Sequence, residues 1–233
     1  MRRLTLSFDN GPEPDVTPYV LDVLAERGLK ATFFLVGEKL REPGRRALAE
    51  RAHAEGHWIG NHTYTHSVPL GLRSEPEAAE NEIGRTQELI GDLAHPDRLF
   101  RPFGGEGRIG RHLLSRDAVD HLVSSGYSLV LWNAIPRDWE PEGWVERALD
   151  QVAAQDETLL VLHDLPGGGM RDLERFLDRV EEAGAVIRQE IPASLMPIRR
   201  GRVALPIAAY VGDGRSPVQP DENRQIIARG PER

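Results

Sequence analysis

The sequence predicts an α/β protein, a distorted and incomplete (β/α) barrel with about seven parallel strands, on three observations. Short β-branched or aliphatic runs alternate with longer amphipathic stretches, as in repeated strand–helix units around a parallel sheet. The polar residues suited to chemistry gather just after those apolar runs, where the catalytic rim of a parallel barrel lies. The length of 233 residues suits one barrel-sized domain. Alternation alone fits an open sheet equally well, and it is the count of seven strands that suggests an incomplete barrel.

Taken in order, strands are expected near Leu4–Phe8, Ala31–Val36, Trp58–His62, Leu99–Phe103, Ser128–Trp132, Thr158–His163 and Ala185–Ile187, each a short run of β-forming or apolar residues. Between them Thr17–Arg27, Arg45–Glu55, Glu75–Ile90, Arg111–Ser124, Gly143–Ala153 and Met170–Glu182 carry apolar residues at three-and-four spacing, which predicts outer helices. Residues 1–198 are read as the barrel domain. Residues 199–233, with RRGR, GDGRSP and QPDENR, lack periodicity and are read as a tail that is surface-lying or partly disordered, with an oligomer contact one use for it.

Composition narrows the function. Asp and Glu number 37 against 29 Lys and Arg, a formal charge of −8, which disfavours nucleic acid and anionic membranes and suits a neutral or cationic small molecule or oligosaccharide. Without cysteine, a metal would be held by His, carboxylate or amide oxygen. The start, MRRLTLSFDNGP, holds no apolar run of signal-peptide length, and no stretch approaches a spanning helix, so a cytoplasmic location is expected.

The candidates for chemistry sit at the ends of the predicted strands: Asp9 and Asn10 after the first, His62 and His66 after the third, Arg101 in the fourth, Asp138 and Trp139 after the fifth, His163 and Asp164 after the sixth. Any one of them alone reads as a cap, a turn or a structural histidine. Their convergence on one rim is what argues for a site. His62 and His66, four apart in HTYTH, would share one face of a helical turn and reach a single ion. SFDNGP delivers an acid–amide pair into a Gly-Pro turn rather than into a helix, and its plainer reading is a turn.

These segments resemble the polysaccharide deacetylase family, carbohydrate esterase family four, over most of Leu4 to Ile187. The family's T-F-D-D-G-P appears as SFDNGP, its H-[ST]-x-x-H as HTYTH, its Arg-Pro-aromatic-Gly run as FRPFGG, its fourth motif in part as WNAIPRDW and its fifth as LVLHD. The resemblance implies Asp9 as general base, His163 as general acid, and His62, His66 and Asn10 as ligands of a divalent metal, zinc first with cobalt or nickel as substitutes. It further implies that Arg101 holds Asp9, that the backbone N–H near Phe103 helps stabilise an oxyanion, that Asp138 tunes His163, and that Trp139 and Leu162 line the acetyl pocket.

Three departures from the pattern matter. Asn10 stands where the family has an aspartate ligand, Ile135 where it has a first fourth-motif aspartate, and the third motif lacks a second proline. The implied activity is metal-assisted hydrolysis of a carbon–nitrogen bond, N-deacetylation of an acetylated carbohydrate. Two other readings stay open: a hydrolase of a small amide, ureide or cyclic imide, toward which Asn10, the expected cytoplasmic location and the acidic charge lean, and a silent carbohydrate-binding protein, motivated by Asn10 and Ile135.

Overall fold

The computed structural model describes residues 1–212. Nine strands form one sheet: β1 (Arg3–Asp9), β2 (Thr32–Leu35), β3 (Trp58–Asn61), β4 (Leu99–Phe100), β5 (Ser128–Leu129), β6 (Glu157–His163), β7 (Val186–Arg188), β8 (Ile198–Arg199) and β9 (Arg202–Val203). The helices are α1 (Thr17–Glu26), α2 (Pro43–Ala54), α3 (Arg85–Ile90, entered through a π-helical turn at Glu80–Gly84), α4 (Arg116–Ser124), α5 (Trp144–Ala153) and α6 (Leu173–Glu182). Strands β1 to β7 pair in parallel, as the strand–helix alternation predicts.

The strand order β6-β1-β2-β3-β4-β5 curls, and a parallel bridge from Ala134 to Leu160 brings the chain beyond β5 back against β6. The distortion lies along β1. Its first residues, Arg3–Thr5, pair with β7, while Ser7–Asp9 pair with β2 on the way to the rim.

Alternation along the strands separates two interiors. Leu4, Leu6 and Phe8 of β1, with Leu160 and Leu162 of β6, face the outer helices, which return a matching stripe such as Leu173, Phe176, Leu177 and Val180 of α6. Inside the curl, Phe34, Leu99, Val130, Leu159 and Ile191 form a separate buried cluster.

Three elements differ from expectation. Strands β8 and β9 form an antiparallel hairpin on β5, in and just beside the segment read as a tail. Two-residue strands around a basic turn leave no period to detect. Of 199–233, residues up to Gly212 follow the fold, Leu114 N–H donating to the Tyr210 carbonyl and Gly212 N–H to that of Leu114, and 213–233 lie outside the described residues. The helix expected from Arg111 starts at Arg116, because Ser115 caps it by accepting from the Ala118 N–H at 3.1 Å.

Candidate active site

Asp9 and Asn10 leave β1 at the rim. Asp9 is buried, and its Oδ1 accepts from Nη1 of the fully buried Arg101 at 2.7 Å; the same nitrogen donates to Ser7 Oγ at 2.8 Å. The Arg101 guanidinium lies 4.0 Å from the centre of the Phe34 ring, so an aromatic face covers a cation whose Nε and Nη2 have no hydrogen-bond partner among the described residues. Burial pulls the Arg101 value below its ordinary one, and Asp9 opposes that shift.

Asn10 adopts φ 76°, in the left-handed region that asparagine tolerates better than most residues. Its side-chain Oδ1 is buried without a hydrogen-bond partner among the described residues. The turn beyond is braced from outside the motif: Lys39 Nζ donates to the Asn10 carbonyl at 2.7 Å and pairs with Glu13, which also meets Arg45 at 2.7 Å. At Gly11 a Cβ would run into the Asp164 carboxylate, so this close approach requires glycine. Burial raises the carboxyl of Asp164 to about 7, against the lowering effect of its Thr17 hydrogen bond.

His62 follows β3. Its Nδ1 lies 2.9 Å from the Arg101 carbonyl, which only accepts, so Nδ1 carries the proton and Nε2 presents a lone pair 3.5 Å from Asp9 Oδ2. A metal-ligating imidazole is commonly held this way, its other ring N–H donated to a backbone carbonyl. His66 packs against it, ring centres 4.7 Å apart, and against Phe103 at 4.2 Å. Burial, with His62 and His163 nearby, lowers His66 to about 2, which keeps its ring neutral. The expected helical turn between the two histidines is absent: Thr63 (φ 65°) and His66 (φ 48°) are left-handed, and the segment is a loop. The rings meet because this loop folds back on itself, not because a helix face aligns them.

His163 ends β6. Asp138, wholly buried, accepts from its Nδ1 at 2.8 Å and from its backbone N–H at 2.7 Å. Burial opposes the charged ring, yet Asp138, then Asp9 and Asp164, outweigh it and raise His163 above its ordinary value. Asp138 thus holds the ring with Ile135 in place of a second acid. Trp139 stands edge-on to His163 at 5.0 Å.

These side chains line one cleft of about 220 Å³, whose wall includes Asp9, Asn10, His62, His66, Phe103, Trp132, Ile135, Trp139, Val161 and His163. Leu162 is not among them. Since His163 points inward, strand alternation turns Leu162 outward into the helix-facing core and gives Val161 the apolar place on the wall. A second groove of about 570 Å³ shares Gly104, Gly105 and Glu106 with the cleft and continues past Leu72, Arg108 and Arg111.

Sequence reasoning missed Ser7, Glu13, Lys39, Arg73 and Glu82. Glu82 is the largest omission: buried, it accepts from the Tyr64 and Thr65 N–H groups at 2.9 Å each, from Thr65 Oγ1 at 2.6 Å and from Arg73 at 2.6 Å. A glutamate in a helical stretch carries no signal of that role, although its π-helical setting, which often marks functional sites, would raise interest once the backbone is known.

A curled sheet of mostly parallel strands with an arginine-held carboxylate and an aspartate-backed histidine side by side on its C-terminal rim defines a barrel-class protein with a paired acid–base site. The sequence model of the polysaccharide deacetylase family matches residues 1–128. A chitooligosaccharide deacetylase of Rhizobium leguminosarum bv. trifolii is 37% identical over 165 residues, 70% of this chain and 72% of the relative. A peptidoglycan-N-acetylglucosamine deacetylase of Bacillus cereus is 36% identical over 192 residues, 78% and 83% of the two chains. Among solved structures, a family 4 acetyl xylan esterase from Clostridium thermocellum in complex with a cobalt ion superposes with a TM-score of 0.65 at 25% identity, covering 81% of this chain and 88% of that one. The chain belongs to the polysaccharide deacetylase family.

Proposed function

We propose that this protein removes acetyl groups from an N-acetylated oligosaccharide with the help of a divalent metal. One observation carries the reading: Asp9, held by Arg101, and His163, held by Asp138, are direct partners in the β1–β6 register and open onto one cleft.

The donor set suits a metal. Among the described residues no three His, Cys, Asp or Glu side chains form a metal-holding group. The buried Oδ1 of Asn10, without a hydrogen-bond partner among the described residues, would supply the oxygen donor such a group lacks, and it lines the same cleft as His62, with its Nε2 lone pair, and the neutral ring of His66. Imidazole with a neutral oxygen suits zinc, with cobalt or nickel as substitutes. Bound there, the ion would polarise the amide carbonyl and acidify a water molecule.

The remaining chemistry belongs to the chain. Asp9 accepts a proton from the attacking water as the oxygen–carbon bond forms. Arg101 keeps the carboxylate oriented for that transfer. His163, protonated through its raised value, gives its Nε2 proton to the leaving nitrogen as the carbon–nitrogen bond breaks, and acetate and a free amine result. Phe103, Trp139 and Val161 supply the apolar wall that a methyl group fits.

The two grooves favour an oligosaccharide over a small amide or cyclic imide. The cleft is smaller than the ~300–1,000 Å³ typical of small-molecule pockets, and a groove more than twice its volume continues from the same glycine wall. The complete acid and base pairs argue against a silent binding protein. Acetate release from N-acetylated chito-oligosaccharides by metal-stripped protein, repeated with added zinc, cobalt or nickel and with Asp9→Asn, tests the proposal. Metal-dependent release lost in the variant is the expected result; turnover that survives in Asp9→Asn, or none under any condition, defeats it.

A further inference from the structure

The loop Thr63–Thr65 joins the two imidazoles, and all its backbone N–H groups end on side chains outside it or at its edge. Thr63 donates to Asn61 Oδ1 at 3.1 Å, and Tyr64 and Thr65 both donate to Glu82 Oε2 at 2.9 Å. The loop carbonyls are held as well: those of Thr63 and Tyr64 accept from the Gly37 and Glu38 N–H groups at 2.9 and 3.1 Å. The other oxygen of Glu82 takes Thr65 Oγ1 and Arg73.

Two residues of this segment, Thr63 and His66, adopt positive φ without being glycine, a conformation that persists only where surrounding contacts over-determine it. Relaxation of either would change how far His66 stands from His62. Glu82 is 3% exposed, and a buried carboxylate is retained only where its acceptor capacity is used. Here that capacity is directed at the loop.

We propose that Glu82 is a positioning residue that sets the His62–His66 spacing by accepting from the Tyr64 and Thr65 N–H groups. Arg73 neutralises the buried charge that this requires. The inference rests on the reading of His62 and His66 as metal ligands, and it assigns the π-helical turn Glu80–Gly84 a purpose: it delivers an acid to the inner side of the histidine loop.

The test compares the wild type, Glu82→Gln and the double variant Glu82→Leu/Arg73→Leu. Glutamine keeps an oxygen for the two N–H groups but loses the ion pair; the double variant replaces the buried pair by apolar groups that preserve packing and leaves both N–H groups without an acceptor. Zinc affinity is read by calorimetry, and loop order by hydrogen exchange of the Tyr64 and Thr65 amides in metal-free protein. Expected is zinc affinity within about threefold of wild type for Glu82→Gln, and a loss of about 10–100-fold in the double variant, the range seen when groups that orient metal ligands are removed. Exchange at both amides should quicken at least about tenfold in the double variant alone, since an open amide exchanges in proportion to its exposure. Unchanged affinity and protection in the double variant would overturn the proposal, as would an equal fall in Glu82→Gln, which would assign the effect to the ion pair. If the wild type binds no zinc, the metal reading fails, while the exchange comparison still decides whether Glu82 sets the loop.

Discussion

Asp9 and His163 are direct neighbours, paired in register on adjacent parallel strands at the rim of the curled sheet. Each is backed by a buried partner of opposite charge character, Arg101 for the acid and Asp138 for the imidazole. Proximity couples them: the Asp9 charge is one of the influences that raise His163. In the proposed mechanism the two take the base and acid roles, one accepting a proton from water and the other giving one to the leaving amine.

Asp9→Asn therefore has two readouts. Deacetylation is expected to fall by about 10²–10⁴, the usual worth of a general base. The titration of His163, followed by NMR, should move to lower pH because one of the charges that raises it is gone. A lost rate with an unmoved His163 titration would contradict the coupling.

Asp138→Asn should shift the pH profile. With His163 as the proposed acid, acting in its protonated form, activity should be lost as pH rises through its raised value, and removing the Asp138 charge should bring that alkaline limb to lower pH. At pH 8 the variant should lose more activity than at pH 6. A parallel loss at both values would show that Asp138 only positions the ring.

Asn10→Asp adds a carboxylate to the proposed ligand set at a φ of 76° that aspartate also tolerates. Zinc affinity should rise by about tenfold or more, equivalent to ~1.4 kcal/mol, in a calorimetric titration. No gain would place Asn10 outside the metal's reach.

Arg101→Met leaves Asp9 buried without its cation, and breaking a buried pair from one side costs about 3–5 kcal/mol. A large drop in denaturant midpoint is expected. Arg101→Met with Asp9→Leu should recover much of it while remaining inactive.

His57 links stability to pH. It is buried, its Nδ1 accepts from the Ala31 N–H at 3.1 Å, and burial pushes it from 6.5 to about 4. The unfolded chain takes up this proton near 6.5, the folded chain only near 4. Its contribution is therefore complete above pH 6.5 and is lost progressively as pH falls to about 4, on the order of 3 kcal/mol. Denaturant melts at pH 7 and 4.5 should show the decline, and His57→Gln should flatten it.

Much of this protein is local information. The seven parallel strands follow from short apolar runs separated by amphipathic stretches, because strand and helix periods are properties of neighbouring residues. The motif residues Asp9, Asn10, His62, Arg101 and His163 stand at or directly after strand ends that the same pattern locates, while His66 and Asp138 lie in the loops that follow β3 and β5. The outward turn of Leu162 was also legible, since it follows from alternation once His163 faces inward. What tertiary structure alone decided involves partners far apart in the chain: the register that sets Asp9 beside His163, the folding of HTYTH as a loop rather than a helical turn, Glu82 braced beneath it, and the hairpin on β5. Those contacts depend on which buried donors and acceptors the packed chain brings together, and a buried polar group finds its partner through space, where sequence spacing carries no record of it.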